Sequence, residues 1–180
     1  MNTSLFLRNA SRLGLGLTVG LLGLGASGVR AEPVEWFVQT GGVSHHFSET
    51  QAPGRRWNEQ HPGLGLERRA IDDEGWQVRW TGGVMQDSRS IWGGYAGAAY
   101  LRRWHADGGA EISAGAGTYA FYRSTSWSGK MTVVPAVLPT ASIGLLQNRV
   151  GLNVTFVPKL PGVRDGMPAV VLAQLVVRVP

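Results

Sequence analysis

Eight segments of this chain alternate apolar residues with polar or small ones. Alternation at every second residue indicates β-strands whose two faces meet different surroundings. In the seventh segment, Val150, Leu152 and Val154 share one face, opposite Gly151 and Asn153. The predicted strands are 35–47, 62–71, 76–86, 91–104, 110–123, 131–145, 150–158 and 168–179.

Short and long connections between these segments alternate along the chain. The short ones are 72–75, 105–109 and 146–149, and the longer polar ones include 48–60, 125–130 and 160–166. This alternation is typical of bacterial outer-membrane barrels, which have short periplasmic turns and longer outer loops. We therefore predict an all-β fold, an eight-stranded antiparallel transmembrane β-barrel in the bacterial outer membrane.

A soluble lipocalin-like barrel is the alternative fold, because it shares the strand number and the alternation. Such a barrel needs polar outward faces. Here Trp76, Val78 and Trp80 oppose Gln77 and Arg79, so the face that we assign outward is apolar. Tryptophans near several strand ends also suit a membrane interface.

The first 31 residues are predicted to be a signal peptide. They combine Arg8 and Arg12 with an apolar stretch and small residues before a cleavage site after Ala31. An uncleaved anchor is the alternative. Cleavage leaves residues 32–180 as a single barrel domain, and it lowers the net charge of +5 by three, because Arg8, Arg12 and Arg30 leave without any acid.

Composition excludes several function classes. The chain has no cysteine, so it contains neither disulfides nor a thiol catalyst. The basic residues scatter over loops and strand ends, which argues against a nucleic-acid partner. Glycine and alanine recur in "GGYAGAAY" and "SAGAGTYA", and small inward residues would leave an otherwise apolar lumen with room for one alkyl chain.

Polar residues interrupt the alternation at Asp87 and Ser88 in "GVMQDSRSIW". A surface turn explains such a pair without any chemistry, since Asp and Ser favour turns.

His45 and His46 precede the first long connection, whereas we interpret His61 and His105 as loop residues. Metal binding by His45 and His46 is disfavoured, because adjacent strand residues face opposite ways.

Four segments, in order, resemble the PagP family of lipid A palmitoyltransferases. "MQDSRSIW" followed by "GGYAGAAY" is similar to the segment in which an Asp-Ser pair opens an outer loop of that family. The other three are "RWNEQHPGLGLERR", "VVPAVLPTASIG" and "VTFVPK". Together they cover much of the chain after the predicted signal peptide.

The resemblance implies an outer-membrane acyltransferase. Members of the family move a palmitoyl chain from a glycerophospholipid to lipid A, and a His, an Asp and a Ser at the barrel rim are held responsible. The implied partners are a glycerophospholipid donor and a lipid A acceptor. We expect a membrane-embedded monomer with no cofactor and no metal.

The site residues of the family align with this chain with unequal clarity. The Asp-Ser pair falls on Asp87 and Ser88, but Ser44 stands where the family has its His. Candidates for the His are His46, which shares the face of Ser44, and His45, which is kept in reserve. Arg123 resembles an Arg before the next outer loop of the family, and it could pair with a lipid A phosphate.

Two prolines and one alanine complete the predicted substrate-binding residues. Pro139 and Pro158 match prolines in neighbouring strands of the family, and proline removes a ladder donor, which would open the wall to a lipid tail. Edge irregularity is the alternative. Ala99 stands where the family has a Gly at the floor of its acyl well. The chain also departs from the family in lacking an amphipathic helix before the first strand and a terminal aromatic residue.

Two rival functions stay open. A lipid A deacylase also uses a small barrel, but its His-x-Ser motif has no counterpart here. A non-catalytic structural or adhesion barrel would have long loops and a plugged polar lumen. The chemistry at Ser88 is also open, because Ser88 could polarise the donor carbonyl or form an acyl-enzyme itself.

Overall fold

The computed structural model describes residues 34–47, 56–106, 108–125, 129–159 and 168–180. The predicted signal peptide lies outside these ranges, as does Trp127, one of the tryptophans near predicted strand ends. Parts of the predicted loops 48–60 and 125–130 and all of 160–166 also lie outside them. The strands are β1 (Val34–His46), β2 (Gln60–Ile71), β3 (Trp76–Gln86), β4 (Trp92–Ala106), β5 (Ala110–Ser124), β6 (Met131–Leu145), β7 (Val150–Val157) and β8 (Val170–Arg178).

These eight strands form a closed antiparallel barrel in chain order, with β1 pairing to β8. All eight were predicted from alternation, with bounds that differ by no more than two residues. The turns after β2, β4 and β6 define the short-turn end of the barrel, and the opposite end is called the loop end.

A bulge of β2 against β1 changes the assignment of one histidine. Thr40 pairs with Leu64 and Gly42 with His61, so Pro62 and Gly63 together lie opposite Gly41. The bulge lets β2 continue through Pro62, which we expected to begin the strand. The prediction that His61 is a loop residue is therefore wrong. The same holds for His105, which lies within β4, near its end.

The outward face is apolar over the full circumference of the barrel. Leu64, Trp80, Val84 and Val137 each expose more than half of their surface. Such a surface suits lipid rather than water, and the alternative of a soluble barrel does not fit it. In the described part of the chain, no helix is long and apolar enough to cross a membrane.

The short-turn half of the lumen is filled by a buried ionic network. The carboxylate of Glu67 lies 2.6 Å from Nε of Arg69 and 3.3 Å from Nε of Arg79. It also accepts hydrogen bonds from Gln39 (2.9 Å) and Asn153 (2.7 Å). The expected apolar lining is thus wrong for this half, where charges are tolerated because each has partners.

The glycines of the inner wall make room for the protein's own tyrosines. A Cβ atom added at Gly117 would lie 2.8 Å from Cε2 of Tyr119, and one at Gly97 would also meet that ring. A Cβ atom at Gly83 would lie 2.8 Å from the hydroxyl of Tyr95. Much of the space that we predicted for an alkyl chain therefore holds aromatic rings.

Candidate active site

A cavity occupies the loop-end half of the lumen. Phe121, Val134, Val157 and Leu172 are among the apolar residues of its β5–β8 side. On the other side, Oε1 of Gln39 accepts hydrogen bonds from Thr81 (2.6 Å) and Tyr95 (2.8 Å). Towards the short-turn end, the cavity meets Glu67, Arg79 and Tyr119. It is therefore a blind well with one apolar side.

His46 and Ser88 meet at the mouth of this cavity. Nε2 of His46 lies 3.0 Å from Oγ of Ser88, although 42 positions separate the two residues. His46 is the last residue of β1, and its buried ring stacks on Trp57 with a centroid distance of 5.3 Å. Of the two candidate histidines, His46 points inward, whereas the side chain of His45 is 69% exposed.

Glu59 lies on the other side of the His46 ring. Its Oε1 is 3.7 Å from Nδ1 of His46 and accepts a hydrogen bond from the backbone N–H of the same residue at 3.4 Å. No hydrogen bond to Nδ1 is formed by the residues that the structure describes. A proton on Nδ1 is favoured by this carboxylate, and Nε2 then faces Ser88 as an acceptor.

Asp87 shapes the turn that presents Ser88. Its Oδ1 accepts the N–H groups of Arg89 (2.8 Å) and Ile91 (3.0 Å), and its carbonyl accepts the N–H of Ser90 (2.9 Å). Ser90 adopts a φ of 62° to close the turn. These contacts agree with the turn interpretation, but Oδ2 is buried and has no hydrogen-bond partner within the described ranges.

The charge of Asp87 acts on residues other than His46. Asp87 interacts electrostatically with His61 and Arg123, whereas Glu59 does so with His46. The backbone N–H of Asn58 donates to the carbonyl of Ser88 at 2.9 Å, so the end of the first loop is fastened to the turn. The site thus contains two carboxylates in different positions.

Arg123 lines the cavity near the end of β5. Its Nε and Nη2 atoms are buried and form no hydrogen bond with any described residue. Ala99 is 5% exposed and does not line the cavity. It pairs with Arg79 and Gly117, so it lies in the wall behind the Tyr119 ring.

The wall between β6 and β7 is incomplete towards the loop end. Their pairing runs from Leu145 and Val150 to Thr140 and Thr155, and residues 131–139 have no partner on β7. Pro139 is the first unpaired residue of β6 on this side, and Pro158 follows the last residue of β7. The two prolines thus flank a gap in the ladder, although Pro158 lies just outside the strand that was predicted to contain it.

Sequence reasoning missed a second hydroxyl–imidazole contact. Nε2 of His61 lies 2.7 Å from Oγ of Ser44, and both side chains face the cavity. Alternation would place His61 on the face of Gly63 and Gly65, but the predicted strand begins one residue later, at Pro62. No three described His, Asp or Glu side chains are grouped to hold a metal ion.

Comparisons with known proteins give one family and several distant structures. A family model described as "Antimicrobial peptide resistance and lipid A acylation protein PagP" matches residues 32–169. No curated protein matches the chain at a significant level.

Solved structures of Ail, the attachment invasion locus protein of Yersinia pestis, are similar at low identity. The crystal structure is 10% identical and covers 81% of this chain and 97% of its own, with a TM-score of 0.44. The backbone structure in a phospholipid bilayer nanodisc is 12% identical, covers 82% and 100%, and has a TM-score of 0.38.

Proposed function

The chain belongs to the PagP family of lipid A acylation proteins, and we propose that it transfers a palmitoyl or similar saturated acyl chain from a glycerophospholipid to lipid A. The observation that carries this proposal is the contact of 3.0 Å between His46 and Ser88 at the mouth of a cavity with an apolar side. We infer that residues 1–31 are removed on export and that the barrel works as a monomer in the outer membrane.

His46 serves as the general base in this proposal. Its Nε2 takes the proton of the lipid A hydroxyl as that oxygen attacks the ester carbonyl of the phospholipid. The tetrahedral intermediate then collapses, and the departing lysophospholipid oxygen takes the proton back from His46. Ser88 polarises the carbonyl, and Asp87 supplies a fixed turn and a buried negative charge.

The cavity and the gap between β6 and β7 support a route for the donor. The acyl chain lies along the apolar side formed by Phe121, Val134 and Leu172, and it reaches the lumen sideways past Pro139 and Pro158. Arg123 offers two nitrogen atoms, Nε and Nη2, that form no hydrogen bond with any described residue. Such donors suit a phosphate oxygen, on the donor lipid or on lipid A.

The well is shorter than an empty barrel would allow. Tyr119 and the ionic network limit its depth, whereas the predicted floor residue Ala99 acts indirectly, by supporting the Tyr119 ring. We infer that the preferred chain length depends on the position of this ring.

Mass spectrometry of lipid A tests the proposal. The gene is expressed in a bacterium that lacks its own lipid A palmitoyltransferase, beside His46→Ala, Ser88→Ala and the matched control His105→Ala at the short-turn end. We expect an added saturated acyl chain with the wild type and with His105→Ala, and none with the other two. Unmodified lipid A, with folded barrel in the membrane, would reject the proposal.

A non-catalytic structural barrel is the second candidate function. The ionic network of Glu67, Arg69 and Arg79 favours it, because it plugs half of the lumen as such a barrel would require. The same experiment separates the functions, since a structural barrel leaves lipid A unchanged and a deacylase lowers its mass.

A further inference from the structure

The mouth of the cavity holds a second serine–histidine pair, Ser44 and His61, in addition to Ser88 and His46. Oγ of Ser44 lies 2.7 Å from Nε2 of His61. On the other side of the ring, Nδ1 lies 2.9 Å from the carbonyl oxygen of Gln86. His61 is only 4% exposed, and Ser44 only 9%.

The backbone carbonyl determines which nitrogen of neutral His61 carries the proton. A carbonyl oxygen can only accept a hydrogen bond, so Nδ1 must donate to Gln86. Nε2 of the neutral ring is then an acceptor, and the hydroxyl of Ser44 donates to it. A hydroxyl, a base and a group that orients the base are the three parts of an activated serine nucleophile.

Both pairs open on the same space. Ser44, His46, His61 and Ser88 all line the cavity. Ser44 and His46 are separated by one residue on β1, so they lie on the same inward face. The carboxylate of Asp87 attracts a positive charge on His61, and Arg123 opposes it. Because Ser44 and His46 share this face, an acyl group on Ser44 would lie beside His46, the base that we assign to the acceptor hydroxyl.

We propose that Ser44 is the nucleophile that first takes the acyl chain from the phospholipid, with His61 as its base. The inference rests on the proposed acyl-transfer function, and it replaces the direct attack of the acceptor on the donor ester by two half-reactions. In the first, Oγ of Ser44 attacks the donor ester carbonyl, and Nε2 of His61 takes the hydroxyl proton. The C–O bond to the glycerol backbone then breaks, and that oxygen takes the proton from His61 as the lysophospholipid leaves.

The second half-reaction returns Ser44 to its starting state. The acceptor hydroxyl gives its proton to Nε2 of His46 and attacks the acyl carbonyl on Ser44. The bond between the carbonyl carbon and Oγ of Ser44 breaks, and Oγ takes the proton from Nε2 of His46. Donor and acceptor are thus served by different histidines, which explains why two imidazoles line one mouth.

The test traps the acyl group on the protein. The purified full barrel in detergent micelles is mixed with a dipalmitoyl glycerophospholipid, without acceptor, and its intact mass is measured after acid quenching. His46→Ala is included because it blocks the second half-reaction. We expect a palmitoyl group in place of one hydrogen, located on Ser44 by peptide mapping. The adduct should be absent in Ser44→Ala and present in the control His105→Ala at the short-turn end.

A cysteine variant gives a second measurement that does not depend on accumulation of the ester. The chain has no cysteine, so Ser44→Cys introduces a unique thiol. Its acyl adduct is a thioester, which neutral hydroxylamine cleaves while oxygen esters survive. Thr155→Cys, in the same cavity, is the matched control and should not be acylated. Heat-modifiable mobility on gels confirms that each variant folds.

The outcomes separate this inference from the proposed function. Acylated Ser44 without any transfer to lipid A would support the inference and show that lipid A is not the acceptor. Transfer to lipid A at the wild-type rate by Ser44→Ala, or an adduct on Ser88, would overturn the inference and leave the proposed function standing. Neither adduct nor transfer with the folded wild type would overturn both.

Discussion

Oε1 of Glu59 lies 3.7 Å from Nδ1 of His46, on the side of the ring opposite Ser88. The family resemblance directs attention to Asp87 as the carboxylate of the site. The structure instead places Asp87 in the turn that carries Ser88 and near His61. The acid that can orient His46 therefore comes from the end of the first loop.

Replacement of Glu59 by Gln is expected to lower kcat about tenfold with little change in KM, which corresponds to about 1.4 kcal/mol of transition-state stabilisation. Half of the Glu59 side chain is exposed, so a larger effect is not expected. Glu59→Asp should recover part of the rate, because it restores the charge. Steady-state kinetics in micelles measure both constants, and unchanged kcat in Glu59→Gln would exclude the orienting role.

Two substitutions of Asp87 are expected to separate its contribution to stability from its contribution to activity. Asp87→Asn keeps an oxygen that can accept the N–H groups of Arg89 and Ile91, so its unfolding free energy should stay within about 0.5 kcal/mol of wild type. Asp87→Ala leaves both groups unpaired and should lose about 1–3 kcal/mol.

The activity of these variants tests the charge. Both should lose acyl transfer, because both remove the carboxylate that faces His61 and Arg123. Urea unfolding in micelles and a transfer assay give the two quantities. An active Asp87→Asn would mean that Asp87 only shapes the turn.

Tyr119 is expected to set the acyl-chain length. Tyr119→Ala removes a ring from the inner end of the well, so longer chains should be accepted. Gly97→Ala adds a methyl group against that ring and should push it into the cavity, which shortens the preferred chain. Gly82→Ala is the control, since Gly82 does not line the cavity and its added Cβ would meet nothing nearer than 3.5 Å.

The chain-length distribution on lipid A, measured by mass spectrometry, decides this prediction. If Tyr119→Ala and Gly97→Ala both keep the wild-type distribution, the ring does not limit the well.

Glu67 is expected to stabilise the barrel strongly. Its carboxylate forms ion pairs with both Arg69 and Arg79, and its side chain is fully buried. Glu67→Gln leaves buried guanidinium charges without a counter-charge, which typically costs about 3–5 kcal/mol. Arg178→Gln, which breaks the partly exposed pair with Glu35, should cost less than about 1 kcal/mol. Equal unfolding midpoints for the two variants would contradict this difference.

The strands and their faces were predictable because the alternation repeats over eight segments. An uncertain bound of one segment is limited by the positions of the segments beside it. His61 was misassigned because Pro62 looks like a strand boundary, and only the bulge at Gly41 shows that β2 continues. The lumen was misread for a similar reason: glycine in a sequence indicates space, but it does not say that Tyr119 or Tyr95 fills it.

The contacts of the site depend on register rather than on local pattern. His46 and Ser88 meet because β1, β2 and β3 are neighbours whose loop ends coincide, and the resemblance suggested that meeting. No pattern places Glu59 behind His46 or Ser44 against His61, since each contact joins two strands or a strand and a loop end through side-chain geometry.

Reconstitution of the purified barrel tests the central claim most directly. The protein is mixed in micelles with lipid A and a glycerophospholipid that carries a radiolabelled acyl chain, and labelled lipid A is counted over time. The account predicts transfer by the wild type and by His105→Ala, and at least a hundredfold loss, about 2.7 kcal/mol, in His46→Ala and Ser88→Ala. Transfer at the wild-type rate by either of the last two variants, or none by the folded wild type, would contradict it.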